Sequence, residues 1–400
     1  MSLIARRALL RFLTASPALA ALGPFARALA DERPLGSASE ALDVFDLEMR
    51  AQQVVPPAHW GYLQSGVDGD ATLRANVAAY ARYQLRARRM VDVSQVDLAT
   101  EVFGVKMSSP ILFSPIGSMR SLHPEGEIAA ARAARAKNVI QIMSTQASFG
   151  VEELVSARGA PVWYQLYTTN EFEVTRKLVK RAEAAGCPVV VVTVDTPSGR
   201  NTETAARLRR QDTRTCSNCH STDDAGNPRP LLSSKPMFAG IDMQGLRLTS
   251  ASLTWDFVKR LKDITRMKVV LKGIEDKEDA IMAVKSGADG VMVSNHGGRS
   301  IESGRGTLES LPAVVAGVAG RIPVLFDGGI RRGTDAYKAL ALGANAVGIG
   351  RPYAWGLAAF GAEGAERVLD ILNLELRLAM VGCGARSVHE ITPKTIIGPV

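Results

Sequence analysis

The 400-residue sequence predicts an α/β protein built on a parallel (β/α)8 TIM barrel, because short apolar runs and amphipathic stretches alternate along most of its length. The runs are rich in Val and Ile and show no polar alternation, which indicates strands that are buried on both faces. Eight such runs follow one another, at residues 111–114, 139–143, 162–167, 189–194, 269–272, 290–294, 324–327 and 346–350. The hydrophobic content of 46% supports a large folded core and excludes a disordered chain.

Amphipathic stretches of helical period connect these runs. They include residues 125–137, 170–185, 253–264, 277–286 and 333–342. A helical segment at residues 31–109 is predicted to precede the barrel, which takes residues 110–400. The barrel carries a long insertion after its fourth strand, at about residues 200–245.

The first thirty residues predict an exported leader and not a part of the fold. Arg6 and Arg7 precede an apolar stretch that Pro17 and Pro24 interrupt, and Ala-Leu-Ala at 28–30 forms a small-residue cleavage site. An amphipathic first helix is the alternative, which the prolines and the lack of acidic residues disfavour. The arginine pair resembles a twin-arginine signal, so we expect a bacterial periplasmic protein that is exported already folded.

The net charge gives no reason to expect a nucleic-acid partner. The formal charge of +8 includes four arginines of the leader, and without them 44 basic and 40 acidic side chains leave +4. A surplus this small, spread along the chain, does not indicate a nucleic-acid partner.

Polar and glycine-rich residues follow five of the predicted strands. They are Thr193-Val-Asp195, Lys272-Gly273, Ser294-Asn-His296-Gly-Gly-Arg299, Asp327-Gly328-Gly329-Ile-Arg331 and Gly350-Arg351. The carboxyl ends of barrel strands meet at one rim, which is where these folds place their active sites. Glycines beside arginines after strands seven and eight also indicate a site for a phosphate group. No metal site is predicted at this rim.

The same segments resemble those of a known family. Ser294-Asn-His-Gly-Gly-Arg299, Thr307-Leu-Glu-Ser-Leu-Pro312, Asp327-Gly-Gly-Ile-Arg-Arg-Gly-Thr-Asp335, Lys338-Ala-Leu-Ala-Leu-Gly-Ala344 and Ile349-Gly-Arg-Pro352 resemble the FMN-dependent 2-hydroxy-acid oxidases and dehydrogenases. This family includes glycolate oxidase, lactate oxidase, mandelate dehydrogenase and the flavocytochrome lactate dehydrogenases. The resemblance spans about residues 43–391. It implies FMN as cofactor, a small L-2-hydroxy acid such as lactate as substrate, and a homo-oligomer, usually a tetramer.

The resemblance also implies roles for single residues. It makes His296 the base, places Arg299 and Tyr62 on the substrate carboxylate, and places Tyr167 on the substrate hydroxyl or keto oxygen. The implied FMN contacts are Pro115, Ile116, Gly117, Ser144, Gln165, Thr193, Lys272, Ser294, Asp327, Gly328, Gly329, Arg331, Gly350 and Arg351.

The residue types suit this chemistry independently of the family. Oxidation of a 2-hydroxy acid removes two electrons and two protons, so a base is needed, and the ordinary histidine pKa near 6.5 suits His296. Asp195 is predicted to orient that imidazole, with a purely structural hydrogen bond as the alternative. Lys272 is expected to favour the anionic reduced flavin.

Two positions depart from the family pattern. Relatives follow Thr-Val-Asp with a segment whose arginine closes over the substrate, and here Arg200 is the only nearby candidate. Gly117 stands where the oxidases commonly carry alanine, as it does in mandelate dehydrogenase. This favours a dehydrogenase that uses an acceptor other than oxygen, such as a periplasmic cytochrome, although a glycine there is also ordinary turn chemistry.

The insertion contains Cys216-Ser-Asn-Cys219-His220, the attachment pattern of c-type haem. Covalent haem c, a disulfide and a metal site all remain open for these residues. Two other functions also stay open: a flavin-dependent enzyme that modifies a peptide or a cofactor precursor, and a haem or metal carrier whose barrel site is idle.

Overall fold

The computed structural model describes residues 34–197, 199–214, 231–248 and 251–399, and confirms the predicted barrel. Eight parallel strands form one sheet. They are β1 (Ile111–Phe113), β2 (Ile142–Ser144), β3 (Trp163–Tyr167), β4 (Val189–Thr193), β5 (Lys268–Lys272), β6 (Gly290–Val293), β7 (Val324–Asp327) and β8 (Ala346–Ile349). All four residues 189–192 are completely buried, as a barrel strand covered by helices requires.

The barrel is closed on both sides of its first strand. β1 pairs with β8 in a parallel register that places Ile111 opposite Val347. On its other side, Phe113 forms a parallel bridge to Gln141, just before β2. Because the sheet closes, all eight carboxyl ends meet at one rim.

Eight helices follow the strands around the outside. They are α1 (Gly126–Ala136), α2 (Val151–Arg158), α3 (Phe172–Ala184), α4 (Asp256–Ile264), α5 (Lys277–Lys285), α6 (Thr307–Val318), α7 (Gly333–Ala341) and α8 (Arg351–Cys383). The last is interrupted at Phe360 and Gly361, where Gly361 takes a φ of +62°. The five predicted helical stretches correspond to α1, α3, α4, α5 and α7, and each begins and ends within three residues of its helix.

Part of the segment before β1 packs against the rim of the barrel. It contains the helices Val44–Val54, Pro57–Gln64 and Ala71–Ala78. The insertion after β4 contributes the helix Glu203–Arg209, which packs on Pro57–Gln64 at Gly61; a Cβ on that glycine would lie 3.1 Å from the Cα of Ala205. Two short antiparallel pairs complete the strands of the described residues: Gln84–Leu85 with Ile396–Ile397, and Thr100–Val102 with Val105–Met107.

Some predictions fall on residues outside those described. The leader at residues 1–30 and the Cys216, Cys219 and His220 group are among them. In the described part of the chain, no helix is long and apolar enough to cross a membrane.

Candidate active site

A cavity of about 400 Å³ opens at the carboxyl ends of the strands. Most of the residues that the sequence predicts for the site line it: Tyr62, Pro115, Ile116, Gly117, Ser144, Tyr167, Arg200, Lys272, His296, Arg299, Asp327, Gly328, Gly329, Arg331, Gly350 and Arg351. Gln165, Thr193, Asp195 and Ser294 do not line the cavity. Gln165, Thr193 and Ser294 are buried residues that hydrogen-bond to others of the group, and Asp195 contacts His296.

His296 occupies the centre of a polar group in this cavity. Its Nδ1 lies 2.8 Å from Asp195 Oδ1, and its Nε2 lies 3.0 Å from Tyr167 Oη and 3.1 Å from Arg200 Nη2. A guanidinium only donates hydrogen bonds, so Nε2 must accept, and the ring proton resides on Nδ1 and is donated to Asp195. The imidazole is therefore neutral, with a lone pair on Nε2 directed into the cavity.

The surroundings keep His296 unprotonated. Burial lowers its pKa to about 3, and the positive charges of Lys272 and Arg200 add to this effect against the opposing charge of Asp195. Burial raises the pKa of Asp195, but His296 and Lys272 outweigh that effect and hold it below its ordinary value. Asp195 thus remains a carboxylate that orients the ring.

Replacing Arg200 by glutamine should shift the pH dependence of the reaction. Arg200 disfavours the imidazolium, so its loss raises the pKa of His296 from about 3. The acidic limb of kcat/KM should then move to higher pH, while the wild-type value stays level from about pH 7 to about pH 5. An unshifted limb in Arg200→Gln would show that this charge does not act on the base.

His296 is the first of three consecutive residues with left-handed backbone conformation. The φ angles of His296, Gly297 and Gly298 are +59°, +68° and +77°. A histidine in this region is uncommon, and such backbone persists only where neighbours impose it. Asn295 closes the turn, because its side-chain oxygen accepts from Gly298 N at 2.9 Å and its carbonyl accepts from Arg299 N at 3.2 Å.

Arg299 is fixed against the N-terminal segment. Its Nη1 donates to the carbonyl of Tyr62 at 2.8 Å, and to the carbonyl and hydroxyl of Ser65 at 2.7 and 2.9 Å. The Tyr62 ring centroid lies 5.1 Å from the guanidinium carbon, and the Tyr62 hydroxyl donates to the carbonyl of Gly117 at 3.2 Å. A cation and a phenol hydroxyl thus share one wall of the cavity, an arrangement suited to a carboxylate.

A second polar network lies in the wall of the cavity. Lys272 Nζ donates to Ser294 Oγ at 2.7 Å, and Ser294 Oγ donates to Asp327 Oδ1 at 2.5 Å. Ser114 Oγ donates to the other oxygen of Asp327 at 3.0 Å. Burial alone would lower the pKa of Lys272, but the carboxylates of Asp327 and Asp195 raise it above its ordinary value. The cavity therefore contains a fixed ammonium group.

A cluster of arginines next to Arg299 concentrates positive charge in the cavity. Arg351 donates to the carbonyls of Leu63, Gly297 and Ser65, each at 2.9 Å, and the Arg331 guanidinium carbon lies 4.7 Å from the Trp355 ring centroid. Burial lowers the pKa of Arg351 to about 9, followed by the charges of Arg299 and Arg331. Buried cations that repel one another call for an anion, as a phosphate group would provide.

The glycines near Arg331 and Arg351 have two different structural roles. A Cβ on Gly329 would lie 2.0 Å from the carbonyl oxygen of Asn76, and one on Gly328 would lie 2.1 Å from Thr307 Oγ1. These glycines permit close packing. By contrast, apart from Gly350 itself and its two neighbours in the chain, no atom lies within 4 Å of the Cβ position of Gly350, so this glycine borders open space in the cavity.

Gly329→Ala is expected to destabilise the protein by about 2–3 kcal/mol, because the new methyl meets the Asn76 carbonyl and the residue has a φ of +75°. Gly350→Ala is the matched control: its methyl enters open space, so it should weaken FMN binding and leave the stability of the cofactor-free protein almost unchanged. Thermal unfolding and fluorescence titration with FMN distinguish the two effects. Equal unfolding temperatures for the two variants would contradict this division of tasks.

Several residues of the site were missed by the sequence analysis. Ser114 also follows a strand, so the rule that polar residues end barrel strands could have found it. Ser65, which binds both Arg299 and Arg351, and Asn295, which closes the histidine turn, have no such local signal.

Comparisons with known proteins agree with this geometry. The family model described as FMN-dependent dehydrogenase matches residues 51–398. A peroxisomal (S)-2-hydroxy-acid oxidase of Oryza sativa is 42% identical over 88% of this chain and 94% of its own, and an L-lactate oxidase of Lysinibacillus sphaericus is 37% identical over 88% and 92%. The structure of a soluble mutant of the membrane-associated (S)-mandelate dehydrogenase from Pseudomonas putida superposes with a TM-score of 0.81, at 31% identity, covering 90% of this chain and all of that one.

Proposed function

Because the chain belongs to the FMN-dependent dehydrogenase family, an enzyme family that oxidises 2-hydroxy acids, we propose that its substrate is a small L-2-hydroxy acid such as lactate and that its electrons pass to a periplasmic acceptor. One observation carries the proposal. The unprotonated Nε2 of a neutral His296 faces the same cavity as the Arg299 and Arg200 guanidinium groups, so a base lies beside a carboxylate-binding wall.

The cavity fits FMN by charge and by space. Arg331 and Arg351, with the glycines at 328, 329 and 350, would hold the phosphate, since buried cations there have open space beside Gly350. Lys272, which lines the cavity, would hold the rest of the cofactor, with Gln165 and Thr193 buried next to it in the strands. When bound, FMN accepts the two electrons that leave the substrate.

The protein's own residues bind the substrate and take its proton. Arg299 and Tyr62 hold the substrate carboxylate, and Arg200 adds a second guanidinium from the insertion. Nε2 of His296 accepts one of the two protons released, while Asp195 keeps the proton on Nδ1 and stabilises the imidazolium that results. Tyr167, 3.0 Å from the same Nε2, donates a hydrogen bond to the substrate oxygen.

Two features of the chain support an acceptor other than oxygen. The family resemblance equates Gly117 with the glycine of mandelate dehydrogenase, and a methyl at this position would lie 2.9 Å from Gln146 Cβ, so an alanine would force Gln146 to shift. The leader with its arginine pair favours a periplasmic location, where a cytochrome can receive the electrons.

An anaerobic absorption spectrum recorded before and after L-lactate is added tests the substrate. We expect L-lactate to bleach the flavin bands, with D-lactate as the matched control that leaves them unchanged. Faster reoxidation by cytochrome c than by oxygen would support a dehydrogenase. Flavin that stays oxidised with L-lactate, glycolate and L-mandelate would contradict the proposed substrate and favour an enzyme that modifies a peptide or cofactor precursor.

Covalent haem c at Cys216 and Cys219 belongs to the same proposal, on the strength of the Cys-x-x-Cys-His pattern. The same anaerobic absorption spectrum, recorded for the wild type and for a Cys216→Ser, Cys219→Ser double variant, tests whether haem is attached. A reduced haem band that grows with L-lactate and is missing from the variant supports transfer from flavin to haem. Flavin bands alone would contradict haem and assign these cysteines to a disulfide or a metal.

A further inference from the structure

Asn76 lies in the helix Ala71–Ala78, outside the barrel, yet it forms a reciprocal amide pair with a residue of the catalytic rim. Its Nδ2 donates to Asn295 Oδ1 at 2.8 Å, and Asn295 Nδ2 donates back to Asn76 Oδ1 at 2.9 Å. Both side chains are buried, with 2% and 1% of their surface exposed. A buried pair of this kind has its donors and acceptors matched in one geometry only.

Asn76 also contacts two other parts of the rim. Its Oδ1 accepts from the backbone N–H of Thr307 at 2.9 Å, at the first residue of α6. Its backbone carbonyl packs against Gly329 in the loop after β7, so closely that only a glycine fits there. The Asn76 side chain thus joins the loop after β6 to the start of α6, and the backbone of the same residue packs against the loop that carries the phosphate-binding residues.

The partner of Asn76 is the residue that closes the histidine turn. Asn295 Oδ1 accepts from Gly298 N as well as from Asn76, and Asn295 Nδ2 also donates to the carbonyl of Arg305 at 3.2 Å. His296 is the next residue in the chain and takes the uncommon φ of +59°. The backbone of the base is therefore held through an amide whose own position depends on Asn76.

We propose that Asn76 is a positioning residue for the reaction: it holds the turn that carries His296 and Arg299 in register with the phosphate-binding loop. The inference rests on the proposed function, since it assigns Asn76 an effect on the His296 base. Two parts of the chain then form the rim. The loops after the barrel strands contain the catalytic groups, and the N-terminal segment fixes their orientation.

Substitution of Asn76 tests this in catalysis. Asn76→Ala removes all four hydrogen bonds of the side chain, including one at 3.3 Å from the Thr307 hydroxyl. Asn76→Asp keeps the acceptor for Thr307 but faces Asn295 Oδ1 with a second oxygen. Misplacement of the base by a fraction of an ångström is expected to lower kcat/KM by roughly 10-fold to 100-fold in Asn76→Ala. Gln141→Ala is the matched control, because Gln141 is a buried amide with a hydrogen bond to the carbonyl of Glu127, away from the histidine turn.

The pH profile separates positioning from general stability. Asp195, Tyr167, Arg200 and Lys272 face His296, and burial is the largest cause of its low pKa. A loosened turn admits water, so the acidic limb of kcat/KM should move to higher pH in both Asn76 variants. In Gln141→Ala the limb should stay in place even if the unfolding temperature falls. Asn76 variants that lose stability but keep the wild-type kcat/KM and pH profile would overturn the proposal.

Chemical labelling of His296 tests the position of the histidine turn without depending on enzyme turnover. Diethyl pyrocarbonate modifies accessible neutral imidazoles, and mass spectrometry resolves each histidine. We expect His296 to react at least several-fold faster in Asn76→Ala than in the wild type or Gln141→Ala, with the exposed His389 as internal reference. An unchanged rate at His296 would overturn the inference. Failure of the wild type to oxidise any 2-hydroxy acid would instead overturn the proposed function, which this labelling does not test.

Discussion

Replacement of His296 by asparagine should lower the rate constant for anaerobic flavin reduction roughly 1,000-fold, because the variant has no group that takes the substrate proton. Asparagine is preferable to alanine here, since it tolerates the left-handed φ of +59° and so separates the loss of the base from backbone strain. Stopped-flow absorbance under saturating substrate gives the rate constant, and KM should change little because Arg299, Arg200 and Tyr62 remain.

His123→Asn is the matched control for this experiment. His123 is half-buried on the loop after β1 and does not line the cavity, so its variant should reduce flavin at the wild-type rate. A His296→Asn enzyme that retains more than about one tenth of the wild-type rate would assign the proton to another group. An equal loss in both variants would indicate general damage to the fold.

Removal of the guanidinium of Arg299 is expected to lower kcat/KM by about 100-fold, since a buried hydrogen-bonded charge contributes about 1.5–3 kcal/mol to binding of a carboxylate. Arg299→Met should show the full loss. Arg299→Lys should recover a part of it, because an ammonium keeps the charge but cannot hold Tyr62, Ser65 and the substrate together. The affinity for the 2-keto acid product, measured by titration, should fall in parallel.

Arg305→Met controls for the loss of a positive charge near the same turn. Arg305 is exposed, and its guanidinium donates to the carbonyl of Glu309 outside the cavity. We expect its kcat/KM to equal that of the wild type. If Arg299→Met bound the keto acid as tightly as Arg305→Met did, the carboxylate would have to be placed on Arg200 instead.

The barrel could be predicted because its strands are buried on both faces and therefore stand out as apolar runs. The run 189–194 matches β4 (Val189–Thr193) almost residue for residue. The predicted run 139–143 begins three residues before β2. Val139 still belongs to the end of α1, because its N–H donates to the carbonyl of Ala134, and pairing with β3 begins only at Ile142. Helix α6 contains Pro312, a residue that usually ends helices, and was not among the predicted stretches.

The site could be predicted where its residues follow strands, and not where they depend on distant parts of the chain. His296, Lys272 and Asp327 lie at strand ends, so their meeting follows from the topology. Ser65 directly follows the helix Pro57–Gln64 and Asn76 lies within the helix Ala71–Ala78, so neither follows a strand. Their partners Arg351 and Asn295 are more than 200 residues away. Arg200 is displaced from the family register, yet its long side chain still reaches Nε2.

The contacts of Arg351 with the carbonyls of Leu63 and Ser65 have a consequence for biosynthesis. These groups are 288 and 286 positions apart, so nearly the whole chain must leave the ribosome before they can meet. Early parts of a nascent chain can collapse, but the cradle for the phosphate closes only after β8 and the start of α8 have been synthesised. Folding should be slow, as expected for contacts of such long sequence separation. Cofactor capture is then a late event, since a chain that ends before Arg351 would lack part of the phosphate site.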